Sequence, residues 1–329
     1  MKSINGTVNW GIIGCGDVCE VKSGPAFNKV PKSALVAVMR RELNKAADYA
    51  KRHNVPVYYN DANQLINDPR VNAIYIATPP VFHEEYTEAA LKAGKPVYVE
   101  KPVTINAASC ERMIALSRKY DSKVSVAHYR RKLPLFMKVK SLINEGRIGN
   151  IRLIRLSMLQ PAVSKIITQT ADNWRVNPAL SGGGLFYDLS PHQLDILYWI
   201  FGEPVSMNGY SLNQSKQYEA TDLTSLQVLF PNDIHFSGSW SFAVAENATE
   251  DYCEIIGNKG SLRFPFFKNP VLEIKDNDGT ERIEFENPPH IQQPMIEAVV
   301  QYFLGEQENP CSFEEALVTM KMIDVGGKM

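Results

Sequence analysis

With 329 residues, the chain is long enough for two domains that each bury a core of their own. A composition of 44% hydrophobic and 22% charged residues is that of a soluble globular protein and argues against disorder. A formal net charge of -1 excludes the basic surplus that attracts nucleic acid or an anionic membrane, so the expected partner is a small molecule.

No run approaches the ~20 apolar residues needed to span a bilayer. Met1 to Asn9 lacks the hydrophobic core of a secretion signal, and the expected compartment is the cytoplasm. The 5 cysteines are scattered without metal-ligand spacing, and their odd number argues against a disulfide framework. No metal is expected.

Val8 to Ile13 reads as a buried strand running into Gly11-Ile12-Ile13-Gly14-Cys15-Gly16-Asp17-Val18-Cys19. In a dinucleotide fingerprint the first glycine makes the tight turn and the second lets backbone amides approach a pyrophosphate. Gly14 and Gly16 fill those places, and Asp17 and Val18 follow at the helix start. Cys19 is an imperfect substitute at the third position, where Gly or Ala lets helix pack on strand. Gly24-Pro25 predicts a helix that is short or restarts.

A second strand, Ala34 to Val38, ends at Arg40 and Arg41, where this fold reads the adenosine ribose. Guanidinium groups there suit a 2'-phosphate, so NADP(H) is expected over NAD(H). Helices near 44–52, 61–67, 82–93 and 106–120 then alternate with strands near 56–58, 72–78, 97–99 and 123–127. Such alternation predicts a doubly wound parallel sheet, with ligands bound outside the carboxyl ends of its strands. Two of those ends are chemically unusual: Ala77-Thr78-Pro79-Pro80 with His83 nearby, and Glu100-Lys101-Pro102. Pro102 disfavours helical geometry at Lys101 and admits a cis bond, so it directs an ammonium at the sheet edge.

Beyond Ala127 the pattern changes. A helix near 134–145 is followed by strands near 151–158, 205–212, 222–230, 234–242, 251–256, 261–264, 271–274 and 282–285, with helices near 292–304 and 313–323 at the end. Turn signals such as Gly257-Asn258-Lys259-Gly260 separate several strands, as in an antiparallel meander. The expected division is a dinucleotide domain over 1–127 and an α+β domain over 128–329, built on an open, mainly antiparallel sheet.

Within the second domain, Ser181-Gly182-Gly183-Gly184 leads towards Asp188, Pro191 and His192. Three glycines let the backbone turn sharply or pass close to a ligand. With Pro191 confined to a first turn, a helix is expected from Asp188 to Phe201. Asp188, His192 and Asp195 then share one face, and Leu194, Leu197, Tyr198 and Phe201 line another. Trp174 and Arg175, just upstream, either close over a nicotinamide or substrate or form a packed tryptophan with a surface arginine. Tyr129 is a candidate substrate contact, and Trp240 and Phe242 either face the site or fill core.

Three segments together resemble the glucose-fructose oxidoreductase, inositol dehydrogenase and rhizopine-catabolism (Gfo/Idh/MocA) family of NAD(P)-dependent oxidoreductases: Gly14-Cys15-Gly16, Glu100-Lys101-Pro102, and the run from Trp174-Arg175 through the glycines to Asp188 and His192. The resemblance spans nearly the whole chain. It departs at Cys19 and at Pro80, where many members have asparagine. It implies a sheet that commonly mediates dimer or tetramer contacts, catalysis by Lys101, Asp188 and His192, and hydride transfer between nicotinamide and a hydroxyl or carbonyl carbon of a sugar, polyol or related compound. The expected cofactor contacts are Gly14, Gly16, Asp17, Val18, Arg40, Arg41, Thr78, Pro79, His83, Glu100, Lys101, Trp174 and Arg175, and the expected substrate contacts are Lys101, Tyr129, Asp188 and His192. Imidazole titrates near the operating pH without help, whereas an ammonium must be shifted to do so. His192 is therefore the expected proton carrier, with Lys101 polarising the reacting oxygen and Asp188 holding substrate hydroxyls and orienting the imidazole. Alternatives are a nicotinamide-dependent glycoside hydrolase of the same fold, which returns its hydride, and a non-catalytic dinucleotide-dependent sensor.

Overall fold

The computed structural model describes residues 3–164, 166 and 173–328. The chain divides into two compact units, Met1–Arg130 with Pro288–Leu317, and Arg131–Asn287 with Val318–Met329. The segment Pro288–Leu317, placed by sequence in the second domain, belongs instead to the first.

In the first unit, β1 (Val8–Ile13), α1 (Asp17–Val21), β2 (Ser33–Met39), α2 (Leu43–Arg52), β3 (Val57–Tyr59), α3 (Ala62–Asn67), β4 (Ala73–Ile76), α4 (His83–Lys92), β5 (Val97–Val99), α5 (Ala107–Lys119) and β6 (Val124–Val126) alternate. The strands are all parallel, in the order β3-β2-β1-β4-β5-β6 of a doubly wound dinucleotide fold. β4, β5 and β6 are buried at every position, as strands covered on both faces must be. α1 runs for only 5 residues and is followed by a 3-10 turn over Gly24–Asn28, so the glycine-proline pair does cut this helix short. A short α1 leaves apolar surface beside β1 without cover. The returning segment supplies it: Trp10 of β1 packs 4.9 Å from Phe27 and 5.5 Å from Phe303, ring centre to ring centre.

In the second unit, α6 (Pro134–Asn144), β7 (Ile151–Leu159), α7 (Pro178–Ser181) and α8 (Leu185–Phe201) precede β8 (Ser206–Leu212), β9 (Leu223–Phe230), β10 (Ile234–Ser241), β11 (Glu250–Gly257), β12 (Gly260–Phe264), β13 (Val271–Asp276) and β14 (Gly279–Glu284). They form an 8-stranded sheet in the order β14-β13-β12-β11-β7-β10-β9-β8. Only the β7–β10 pair is parallel; the sheet is mixed and mostly antiparallel. Burial alternates along β9, with Thr224, Leu226, Val228 and Phe230 inside and Leu223, Ser225, Gln227 and Leu229 facing outward. The inner face packs on α8: Phe186 meets the Trp240 ring edge-on at 5.0 Å, and the Trp240 indole N–H donates to Gln193 Oε1 at 2.6 Å. Trp240 and Phe242 are therefore core residues. Two helices complete the chain, α9 (Gln293–Leu304) in the first unit and α10 (Phe313–Gly326), within which the division falls.

Candidate active site

The strand order brings the loops after β1, β2, β4 and β5 of the first unit to the same carboxyl edge. Gly14 has φ +90°, and a Cβ there would lie 2.8 Å from the Thr78 methyl and 3.0 Å from the Ala77 backbone, so only glycine fits. At Gly16 a Cβ would meet nothing closer than the Gly14 carbonyl oxygen at 3.9 Å, which leaves the backbone open to a ligand. Asp17 and Val18 open α1, whose first amides have no partner within the helix. The Thr78 Oγ1 is buried and has no hydrogen-bond partner among the described residues. The shape-constrained Gly14, the open backbone at Gly16 and an orphaned hydroxyl fit a dinucleotide phosphate. Cys19 performs the packing asked of the third fingerprint residue: it is fully buried, its carbonyl accepts from the Tyr49 hydroxyl at 2.9 Å, and its thiol points at the Gly14 carbonyl 3.8 Å away.

Arg40 is half-buried at the end of β2, its amide donating to the Tyr59 carbonyl at 3.1 Å. Burial pushes the Cys15 thiol up to about 12, and the Arg40 charge opposes that rise. Arg41 is exposed and lies 5.6 Å above the Phe82 ring, and Pro79 is half-buried.

His83 is fully buried at the start of α4. Its Nε2 lies 2.8 Å from the Thr78 carbonyl, and its Nδ1 lies 3.1 and 3.2 Å from the carbonyls of Pro102 and Val103. The ring is a strut between the loops after β4 and β5, with no free edge for a cofactor. Burial pushes it down to about 4, outweighing three carbonyls that favour its charged form. The Glu100 side chain is likewise enclosed: its Oε1 accepts from the Tyr75 hydroxyl and from Gln292 Nε2 at 2.7 Å, and its Oε2 accepts from the Lys101 amide at 3.2 Å. Lys101 follows at the carboxyl end of β5, half-buried, with a cis bond to Pro102. Tyr129 is buried, with Arg130 5.5 Å over its ring.

In the second unit, the glycine run serves packing. Gly182 and Gly184 take φ +95° and +92°, a Cβ on Gly183 would fall 2.2 Å from the Tyr187 ring, and one on Gly184 would fall 2.5 Å from Ala220. These turns let α8 begin at Leu185, three residues earlier than expected, and Pro191 sits inside the helix, where it removes the bond to the Tyr187 carbonyl. The expected split into a packed and a titratable face does not hold. From Leu185 to Leu197 every residue except Asp188 is buried.

Asp188 is half-buried, and Arg175 Nε donates to its Oδ2 at 3.1 Å while the guanidinium lies 4.6 Å from the Trp174 ring centre. Arg175 is thus brought to the Asp188 carboxylate, with Trp174 against its guanidinium. His192 is buried one turn on, edge-to-face with Phe267 at 5.7 Å. Asp195 takes a structural part: Arg131 Nε and Nη2 donate to its two oxygens at 2.9 and 2.7 Å, both side chains buried. Sequence reading missed Arg131, Phe267, Tyr75 and Gln292, because each meets its partner through a contact distant in sequence.

Residues 8–128 match the model described as the oxidoreductase family, NAD-binding Rossmann fold, and residues 136–263 match the GFO/IDH/MocA C-terminal domain. Over 318 residues, 97% of this chain and 98% of its relative, the sequence is 43% identical to oxidoreductase P35 of Formosa agariphila. The chain belongs to the GFO/IDH/MocA oxidoreductase family. Among solved structures it resembles an aldose-aldose oxidoreductase from Caulobacter crescentus in complex with glycerol, with a TM-score of 0.85, 22% identity, and coverage of 97% of this chain and 96% of the other. A 3-ketoreductase mutant from Actinomadura kijaniata, in complex with TDP-benzene and NADP, gives a TM-score of 0.84, 21% identity and 98% coverage of both chains. At these identities the two structures show the fold. Family membership makes the first unit a nicotinamide dinucleotide domain, which fits the open backbone at Gly16. Among the described residues no helix is long and apolar enough to cross a membrane.

Proposed function

We propose that the chain is an NADP(H)-preferring oxidoreductase acting on a hydroxyl or carbonyl carbon of a sugar, polyol or related compound. The observation that carries this reading is the carboxyl edge of the parallel sheet, where the open Gly16 turn after β1, the Thr78 loop after β4 and Lys101 after β5 emerge side by side. A related aldose-aldose oxidoreductase and a 3-ketoreductase complexed with NADP point to the same chemistry.

Nicotinamide, when bound, accepts or supplies the hydride. The residues of the chain manage charge and protons around it. Lys101 binds the reacting oxygen and favours its negative charge. His192 takes or gives the hydroxyl proton. Arg175 fixes the Asp188 carboxylate in one direction, so Asp188 holds substrate hydroxyls and positions them. Arg40 and Arg41 receive the 2'-phosphate.

Fluorescence titration of the purified protein with NADPH and NADH, joined to a screen of sugars, inositols and aldoses for change in nicotinamide absorbance, tests the reading. NADPH is expected to bind roughly tenfold more tightly or better, since each charge-assisted bond to the phosphate contributes about 1.5–3 kcal/mol. Preference for NADH, or no turnover across the screen, would contradict it.

A further inference from the structure

Gln292 precedes α9 and is fully buried, yet both its amides are put to use within the first unit. Its main-chain N–H donates to the Lys22 carbonyl at 3.1 Å, just past the fingerprint helix α1. Its side-chain Nε2 donates to Glu100 Oε1 at 2.7 Å. The same oxygen accepts from the Tyr75 hydroxyl of β4, and the second Glu100 oxygen accepts from the main-chain N–H of Lys101. One residue from the returning segment thus ties the far end of the fingerprint helix to the strand end that bears the ammonium.

A carboxylate one residue before a lysine has a nearer use: pairing with that lysine's own ammonium. The two donors on Oε1 hold Glu100 inward, and the bond from the Lys101 amide fixes the peptide from which the Lys101 side chain departs. We propose that Gln292 is a positioning residue for Lys101, acting through Glu100. The proposal rests on the reading of Lys101 as the residue that binds the reacting oxygen.

Gln292→Leu deletes the side-chain donor and keeps the main-chain bond to Lys22. Brief acylation of the free protein with dilute acetic anhydride, read lysine by lysine by peptide mass spectrometry, reports on Lys101 without any substrate. The Glu100 carboxylate, left with one donor fewer on Oε1, is expected to turn towards the Lys101 ammonium and slow its acylation by about threefold or more, because a nearby opposite charge favours the protonated amine. The other lysines, the melting temperature and the NADPH dissociation constant should stay close to the parent. With a substrate in hand, kcat should fall by roughly tenfold, since small misplacements at a reacting centre are costly.

Gln292→Glu separates positioning from packing. Its kcat relative to the parent should be low at alkaline pH and recover as pH falls, because two facing carboxyls share a proton and the protonated one donates as the amide did. Unchanged or faster acylation of Lys101 in Gln292→Leu would overturn the proposal, as would a uniform change at all lysines with a lower melting temperature. Should the parent turn over no alcohol or ketone, the oxidoreductase reading fails, and the labelling still decides the clamp.

Discussion

Gly16 and Gly183 are the same residue type under opposite constraints. Nothing lies within 3.9 Å of a Cβ at Gly16 except the Gly14 carbonyl oxygen, whereas at Gly183 the Tyr187 ring is 2.2 Å away. The first glycine makes room for a ligand and the second for the protein itself. Gly16→Val should therefore leave the melting temperature near that of the parent and weaken NADPH binding by roughly tenfold or more, its side chain taking the place where the pyrophosphate would meet the amides. Gly183→Ala should retain affinity and lose about 1–3 kcal/mol of stability through overpacking. Thermal denaturation beside fluorescence titration checks both, and a Gly16→Val protein that binds NADPH like the parent would remove this turn from the cofactor site. Sequence alone could not tell the two glycines apart, because the difference lies in what folds back over each. The fingerprint spacing made Gly14 and Gly16 cofactor candidates; the Ser181 run showed only that side chains were unwelcome.

His83 shows what an element gains from a buried ring. It joins the start of α4 to the loops after β4 and β5, and its pKa is depressed from 6.5 to about 4 by burial. Between those values the unfolded chain binds more protons than the folded one, so the stabilisation is complete above about pH 6.5 and is lost as pH falls towards about 4. Urea titrations should show the parent losing on the order of 2 kcal/mol between pH 7 and pH 5 from this residue. His83→Gln, which cannot titrate, should lose correspondingly less over the same interval. Equal pH dependence in both would contradict the buried neutral ring. The alternating strands and helices of the first unit were legible because each carries its own apolar run and turn residues, and Val8 to Ile13 emerged with the boundaries expected. α8 was less so. The rule that confines proline to a first turn gave way at Pro191, where a helix buried on every side tolerates one missing backbone bond. Asp195, read as a third titratable group for the site, proved to be held by Arg131, whose position in the chain gave no hint of the pairing.

At the scale of the whole molecule, the mostly antiparallel sheet leaves one face outward, with Tyr210 55% and Leu212 47% exposed on its edge strand β8. We expect a second copy of the chain to use this face. Light scattering should give a dimer or tetramer for the parent and a smaller species when Tyr210 and Leu212 are both changed to Asp; a monomeric parent would contradict it. The change from a parallel to a mostly antiparallel sheet was legible in the switch from alternating to consecutive strands after Ala127. The return of Pro288–Leu317 to the first unit was not, because a helix with an apolar face does not announce which sheet it covers. The central claim is the proposal that Lys101 and His192 both serve the hydride transfer. A double-mutant cycle on the single-turnover hydride-transfer rate, with Lys101→Met, His192→Asn and the double variant, tests it most directly. Each single change should cost roughly 10²-fold or more, and the double variant scarcely more than the worse of the two, because residues that act as a unit are strongly non-additive. Losses that simply multiply would show two independent groups and contradict the account.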